Sequence, residues 1–303
     1  MTELAEDRVY ARYPRRAGAV LIIGSGAVGG FLADELARAG CDPLLLIDPD
    51  VLEVENLIRH PLGATEIGRP KATALAERIR HDFPPCHATG LDANFLMLPN
   101  AEQMRLVGAA DVVVAATDSP HCQLRVNEVA VATNTPAVYP AVWLDPRVRD
   151  AEVGEILWVP SDRRGPCYAC AFPFRRWAPE THGARGARVD IQLIALCAAQ
   201  VVLALLGGID GRATILTPDR TVLYVHGLTP ASRSIRPLFP TGGLSSASAR
   251  VRLSESPCRV CGQRGEAVQR GSSGGLWRNH RVTIGVLVGV ALLVLALVLA
   301  AWR

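Results

Sequence analysis

Lysine is almost absent from this 303-residue chain. Lys71 is the single lysine, and arginine supplies the rest of the 32 basic residues. Arginine presents a flat fork and lysine a compact point charge, so the two are not equivalent beside a phosphate. A bias toward arginine explains the rarity, and a chance surface lysine is the plain alternative for the survivor. The position of Lys71 behind a glycine-rich turn marks it as one that arginine does not replace. Aromatic residues are also sparse, at 5%, which argues against base-stacking surfaces. The net charge is only +3 and forms no long basic block, so charge gives no reason to expect nucleic acid. Residues Met1 to Tyr10 carry Glu3, Glu6, Asp7 and Arg8 and lack an apolar core, which predicts no secretory signal. Eight cysteines without such a signal point to metal or isolated thiols rather than a disulfide framework.

What is present alternates. The apolar run Val20 to Gly24 predicts a buried strand, and Val28 to Ala39 a helix that ends at Gly40. Pro43 to Asp48 predicts a second strand, and Pro70 to His81 a helix. Ala110 to Asp118 is a further strand, Gln123 to Thr133 a helix, and Ala137 to Trp143 another strand. Such alternation implies α/β architecture, a Rossmann-like, doubly wound, mainly parallel sheet with helices on both faces. From Val153 the pattern becomes strand-rich and irregular, interrupted by Ile191 to Leu206. Gln192 and Gln200 break that apolar stretch and Gly207-Gly208 end it, so a core helix is expected there. The division is 1–264 for one nucleotide-binding domain, 265–281 for a linker rich in glycine and serine, and 282–302 for an apolar run.

That last run contains no charge and is long enough to cross a bilayer as a helix, against the alternative of a buried core helix. Arg278, His280 and Arg281 precede it and only Arg303 follows. The positive-inside rule then places the globular part on the cytoplasmic side of the membrane. Gly285 and Gly289 have the spacing that lets two such helices approach closely.

The chemistry begins at Gly24-Ser25-Gly26-Ala27-Val28-Gly29, which presents backbone amides and a helix N-terminus to a phosphate. Asp48, at the end of the next strand, suits ribose hydroxyls. Alone, this pattern serves NAD, FAD and ATP enzymes alike. Asn56, Arg59 and Lys71 follow, and two cations there suit a triphosphate under attack, whose phosphoryl oxygens gain charge. Asp118 closes a strand where ligands bind in open sheets; it could hold Mg2+ or cap the helix before Pro120. Cys167-Tyr168-Ala169-Cys170 and Cys258-Arg259-Val260-Cys261 form two C-x-x-C pairs. Either pair alone could be redox-active, but two together suit one tetrahedral Zn2+. Cys41, Cys86, Cys122 and Cys197 read as packed thiols. The arginine- and glycine-rich stretch Phe174 to Val189 reads equally as a substrate clamp or a solvated linker.

This ordered set, from Val20 to Gly262, resembles the ThiF/HesA-type adenylyltransferases, relatives of ubiquitin-activating enzymes. The resemblance implies that Mg-ATP is bound and that the C-terminal carboxylate of a ubiquitin-like protein or peptide attacks the α-phosphate. It gives Gly24, Gly26 and Gly29 to phosphate, Asp48 to ribose, Arg59 and Lys71 to basic catalytic positions, and Asp118 to magnesium. Asn56 matches the family's asparagine before the arginine. Asn56 to Gly63 is similar to bacterial members found beside ubiquitin-like conjugation genes, so a conjugating enzyme is an expected partner; the apolar run 282–302 and the family habit together imply a homodimer. Arg12-Tyr13-Pro14-Arg15 resembles a segment that reaches a partner subunit's ATP, though its spacer to Val20 is short. Ala171 to Asp190 lacks the cysteine with which thioester-forming members are equipped, which predicts adenylation without a thioester on that loop. Three rivals remain: a relative that adenylates and dehydrates a tRNA threonylcarbamoyladenosine, a non-catalytic membrane scaffold for a ubiquitin-like partner, and NAD-dependent redox chemistry.

Overall fold

A computed structural model of the protein describes residues 18–144, 152–161, 165–177, 187–207, 222–227, 245–251 and 253–265. The 12–15 segment, residues 178–186, the linker from 266 on and the apolar run 282–302 lie outside the described residues.

Eight strands form one sheet in the order β3-β2-β1-β4-β5-β6-β7-β8. They are β1 Gly18–Ile23, β2 Cys41–Ile47, β3 Ala88–Leu91, β4 Val112–Ala115, β5 Ala137–Leu144, β6 Glu152–Val159, β7 Val222–Gly227 and β8 Ser245–Arg250. The first five pair in parallel, and β5 to β8 continue the sheet antiparallel. The strand-rich part foreseen after Val153 is therefore an extension of the same sheet.

Strands β1 and β4 are apolar throughout because helices cover both faces. Val20, Ile22, Leu44, Leu46, Val112 and Val114 point to the side packed by α1 (Ala27–Arg38), α2 (Lys71–Asp82) and α6 (Arg188–Leu205). Leu21, Ile23, Val113 and Ala115 point to the side packed by α3 (Asn100–Gly108), α4 (Pro120–Thr133) and the short α5 (Tyr168–Ala171). Helix α6 is long and apolar enough to cross a membrane by length and composition, but half of it is buried here. Ile194, Ala195, Ala198 and Val202 lie against the sheet and α1, as a core helix requires.

Several boundaries differ from the sequence expectation. Strand β4 stops at Ala115, so residues 116–119 form a loop rather than strand. Helix α4 starts at Pro120, and its cap is Ser119, whose hydroxyl accepts the Cys122 N–H at 3.1 Å. The capping alternative for Asp118 is thereby removed. Strand β3 and helix α3 are not signalled by periodicity. Gly90 shows why β3 is shaped as it is: a Cβ there would stand 2.5 Å from the backbone of Ala72 and Thr73, so β3 and α2 meet main chain to main chain.

Candidate active site

Strand order reverses between β2-β1 and β4-β5, and ligands in open α/β sheets bind beyond the strand C-termini at such a switch point. A cleft of about 740 Å3 lies there. Gly24, Gly26, Asp48, Asn56, Arg59, Lys71 and Asp118 all line it. Of the nucleotide-site residues named from sequence, only Gly29 does not.

The three glycines of the turn have different physical reasons. Gly24 adopts φ +96°, a left-handed conformation that disfavours side chains. A Cβ on Gly29 would stand 1.9 Å from the Gly24 carbonyl oxygen, so Gly29 lets α1 approach the turn from behind. Among the described residues, a Cβ on Gly26 would meet no atom within 4 Å beyond its chain neighbours. Gly26 borders the cleft at the start of α1, so the space that a side chain would fill is left for a ligand. Backbone amides at a helix N-terminus favour an anion there.

Ser25 is held from two sides. Its N–H donates to Asp48 Oδ2 at 2.6 Å, and its carbonyl lies 2.8 Å from His60 Nε2. His60 Nδ1 accepts the Leu62 N–H at 3.1 Å, so Nε2 carries the proton and the ring is neutral. Burial pushes the His60 imidazole down to about 4. Asp48 Oδ1 accepts the Asp50 N–H at 2.8 Å. Burial raises the Asp48 carboxyl above its usual range, with the two backbone donors and Lys71 opposing. Each oxygen keeps a second lone pair.

The segment after Asp48 is shaped by its own bonds. Glu53 and Asn56 form a capping box, with the Glu53 N–H on Asn56 Oδ1 at 3.1 Å. The Arg59 and His60 amides return to the Asn56 carbonyl at 3.0 and 2.8 Å. Asn56 thus fixes the turn that presents Arg59. Arg188 of α6 donates to the His60 carbonyl at 2.9 Å and lies over the Phe31 ring. Leu52 exchanges backbone bonds with Gly68 and Arg69, which brings Lys71 back to Asp50. Lys71 is 8% exposed, and its Nζ stands 2.9 Å from Asp50 Oδ2. An ammonium has three donors, so one partner leaves room for a phosphate oxygen. Asp118 and Thr117 face the same cleft from the loop that follows β4.

The four cysteines of the two C-x-x-C pairs converge, all sulfurs lying within 4.8 Å of one another. Cys167 to Cys170 is 3.8 Å, Cys167 to Cys258 3.9 Å and Cys170 to Cys261 3.6 Å. Four thiolates at tetrahedral angles around zinc, with bonds of about 2.3 Å, stand about 3.8 Å apart. The donor set and spacing fit Zn2+ in a closed site, which would join the 165–171 knuckle to the 258–262 turn. Cys41, Cys86 and Cys122 are buried and Cys197 partly so, and none of them belongs to this four-sulfur group.

Sequence reasoning assigned no role to Asp50, His60, Gln123, Tyr168 or Arg175. His60 and Asp50 lay inside a quoted loop, but their partners are set by the fold. The sequence placed Arg175 in a clamp or a solvated linker; instead its guanidinium is 2.6 Å from Glu155 Oε1 and stacks 3.9 Å from the Phe172 ring centroid.

A family model described as the ThiF family matches residues 14–296. The adenylyltransferase and sulfurtransferase MOCS3 of Danio rerio is 29% identical over 253 residues, covering 81% of this chain and 48% of that protein. A sulfur carrier protein adenylyltransferase of Thermus thermophilus is 29% identical over 157 residues, covering 51% of this chain and 55% of that protein. The chain thus spans about half the length of these relatives. The crystal structure of E. coli MccB with ATP superposes with a TM-score of 0.57 at 20% identity, over 86% of this chain and 68% of that one. At that identity the likeness concerns the fold.

Two measurements follow from the site geometry. Gly29→Ala is expected to lower the urea midpoint strongly, because its Cβ meets backbone. Gly26→Ala is expected to cost under about 1 kcal/mol, the range of a modest capping change, while losing nucleotide binding in a calorimetric titration. Equal stability loss in both would show that the space beside Gly26 is not a ligand cradle. His60 supplies a pH dependence. Its folded pKa lies below its unfolded value, so the unfolded chain binds the extra proton. The contribution of neutral His60 is complete above about pH 6.5 and falls away toward its folded value of about 4. The loss is on the order of 3 kcal/mol. Urea midpoints measured from pH 7 to pH 4 should fall less steeply in His60→Gln than in the wild type.

Proposed function

The chain belongs to the ThiF family, and on that premise we propose that it is an ATP-dependent adenylyltransferase acting on the C-terminal carboxylate of a ubiquitin-like protein or peptide. The observation that carries this reading is the meeting of Arg59, Lys71, Asp48 and Asp118 over the glycine turn in one cleft. Relatives whose names specify adenylyltransfer, one of them to a sulfur carrier protein, support the same class.

In this reaction a carboxylate oxygen attacks the α-phosphorus of ATP. A new acyl–oxygen–phosphorus bond forms, the bond from the α-phosphorus to the α,β-bridging oxygen breaks, and pyrophosphate leaves with that electron pair. The Gly26 amide and the N-terminus of α1 would hold phosphate oxygens, the Gly24 and Ser25 amides being engaged by the Ile47 carbonyl and Asp48. Asp48, fixed by the Ser25 and Asp50 amides, would accept from ribose hydroxyls through its remaining lone pairs. Arg59 and Lys71 would offset charge on the phosphoryl group and on the departing pyrophosphate. Asp118 would hold a magnesium ion, which when bound neutralises phosphate charge. Zinc would be structural, since four cysteines leave no position open for substrate.

The apolar run 282–302 is read as a single-pass anchor that holds the domain at the cytoplasmic face, on its length and lack of charge. A homodimer and a conjugating enzyme complete the proposed partners. With no cysteine between Ala171 and Asp190, transfer would proceed from the adenylate without a thioester on that stretch.

Lys71→Ala and Asp118→Ala should each reduce ATP–pyrophosphate exchange with a ubiquitin-like substrate by on the order of 10²–10³, with unchanged circular dichroism. Full exchange in either variant removes that residue from the reaction. A chain ending at Gly271 should leave the membrane fraction and keep exchange activity; its retention in the membrane fraction would overturn the anchor assignment.

A further inference from the structure

A one-directional chain of hydrogen bonds runs from the cysteine knuckle to the loop that carries Asp118. Tyr168 sits between Cys167 and Cys170, is fully buried, and packs its ring against Tyr139 and Phe172. Arg175 donates to the Tyr168 oxygen at 3.1 Å. A guanidinium only donates, so the Tyr168 hydroxyl must donate onward, and it does so to Gln123 Oε1. That fixes the orientation of the Gln123 amide. Its Nε2 then donates to the Thr117 carbonyl at 2.9 Å and faces the Ala115 carbonyl at 3.4 Å. Thr117 immediately precedes Asp118, and its own hydroxyl accepts the Ser119 N–H at 3.2 Å.

Both ends of the chain are anchored. Arg175 is paired with Glu155 of β6 at 2.6 Å, both side chains largely buried. One turn along α4 from Gln123, Asn127 accepts the Tyr168 N–H at 2.9 Å and directs its Nδ2 toward Cys167 Sγ at 3.6 Å. Gln123 and Asn127 therefore grip Tyr168 at hydroxyl and amide, with i and i+4 spacing on one helix face. A loop end held by its carbonyl has fewer positions open to it, and an ion bound by the adjoining carboxylate gains from that restriction.

We propose that Tyr168 and Gln123 are positioning residues that hold the Thr117–Asp118 loop in place, and that the Cys167/Cys170/Cys258/Cys261 cluster, by fixing Tyr168, supports the metal-binding geometry of the nucleotide site. The proposal rests on the reading of Asp118 as the magnesium carboxylate. It gives the cysteine cluster a second task besides joining two segments.

The test compares the full chain with Tyr168→Phe, Gln123→Glu and Tyr139→Phe. Tyr168→Phe keeps the stacked ring and removes the hydroxyl. Gln123→Glu keeps an acceptor for Tyr168 and removes the donor to Thr117. Tyr139→Phe is the control, because the Tyr139 hydroxyl is equally buried and has no hydrogen-bond partner among the described residues. All should bind one zinc per chain by elemental analysis. The magnesium concentration for half-maximal ATP binding should rise about 10-fold in the first two variants, the low end of the range for lost outer-shell support, and stay unchanged in the control. Amide hydrogen exchange over 117–122 should quicken in the same two variants. An unchanged magnesium midpoint in zinc-loaded Tyr168→Phe, or an equal shift in Tyr139→Phe, overturns the proposal. Should the wild type bind ATP without magnesium dependence, the reading of Asp118 fails, and exchange over 117–122 alone decides the positioning role, with unchanged exchange refuting it.

Discussion

The site depends on one residue's main chain. Ser25 sits in the turn between β1 and α1, its N–H held by Asp48 and its carbonyl faced by His60. With both groups engaged, and the Gly24 N–H on the Ile47 carbonyl at 2.8 Å, Gly26 can present its amide to the cleft without losing the shape of the turn. Asp48 comes from the end of β2 and His60 from the segment after it, so two stretches of chain converge on one peptide. Both partners are buried, where a hydrogen bond is costly to leave unmade. His60 meets this requirement as a neutral ring, which lets it bridge the Ser25 carbonyl and the Leu62 amide without adding charge beside Arg59 and Lys71.

The segment that supplies His60 also supplies Asn56, Arg59 and, further on, Lys71. Its bonds are local: a capping box at Glu53 and Asn56, a short bridge between Val51 and Pro70, and the pair Lys71–Asp50. Lys71 is largely buried, and an ammonium there requires a partner. Asp50 provides one from an exposed position, where exchange for a phosphate oxygen costs less than it would for a buried carboxylate. The opposite wall of the cleft is built differently. Asp118 is carried by a loop whose support comes from the far side of α4, through buried tyrosine and arginine side chains tied to the antiparallel half of the sheet. The parallel half thus carries the glycine turn and the basic residues, while the antiparallel half braces the remaining acid.

The parallel half was legible in the sequence because its signals are local. Buried strands such as Val20–Ile23 and Val112–Ala115 are apolar without interruption, and a glycine turn between strand and helix has few other readings. Strand β3 and helix α3 were not legible. Ala88–Leu91 is short and lacks apolar alternation, and its place is set by a glycine contact with α2 that only packing creates. The end of β4 was read three residues too long, because Ala116 and Thr117 are compatible with a strand and the register with β5 decides where pairing stops. The zinc-type cluster was legible from two C-x-x-C pairs. Tyr168, between two of those cysteines, carried no signal of its own.

The sequence by itself determined the residue types at the cleft, namely one lysine, the glycine turn, Asp48, Arg59 and Asp118, and those of the separate cluster of paired cysteines. Their chemistry is set by side-chain identity and short spacing, which survive without coordinates. Only the tertiary structure decided which glycine faces a ligand and which faces backbone, which nitrogen of His60 carries the proton, and that Arg175 is buried against Glu155 rather than solvated. It also decided that the cysteine knuckle and the Asp118 loop share a hydrogen-bond path. These are properties of pairs distant in the chain, and the direction of a hydrogen bond or the space beside a Cα exists only once both partners have been brought together.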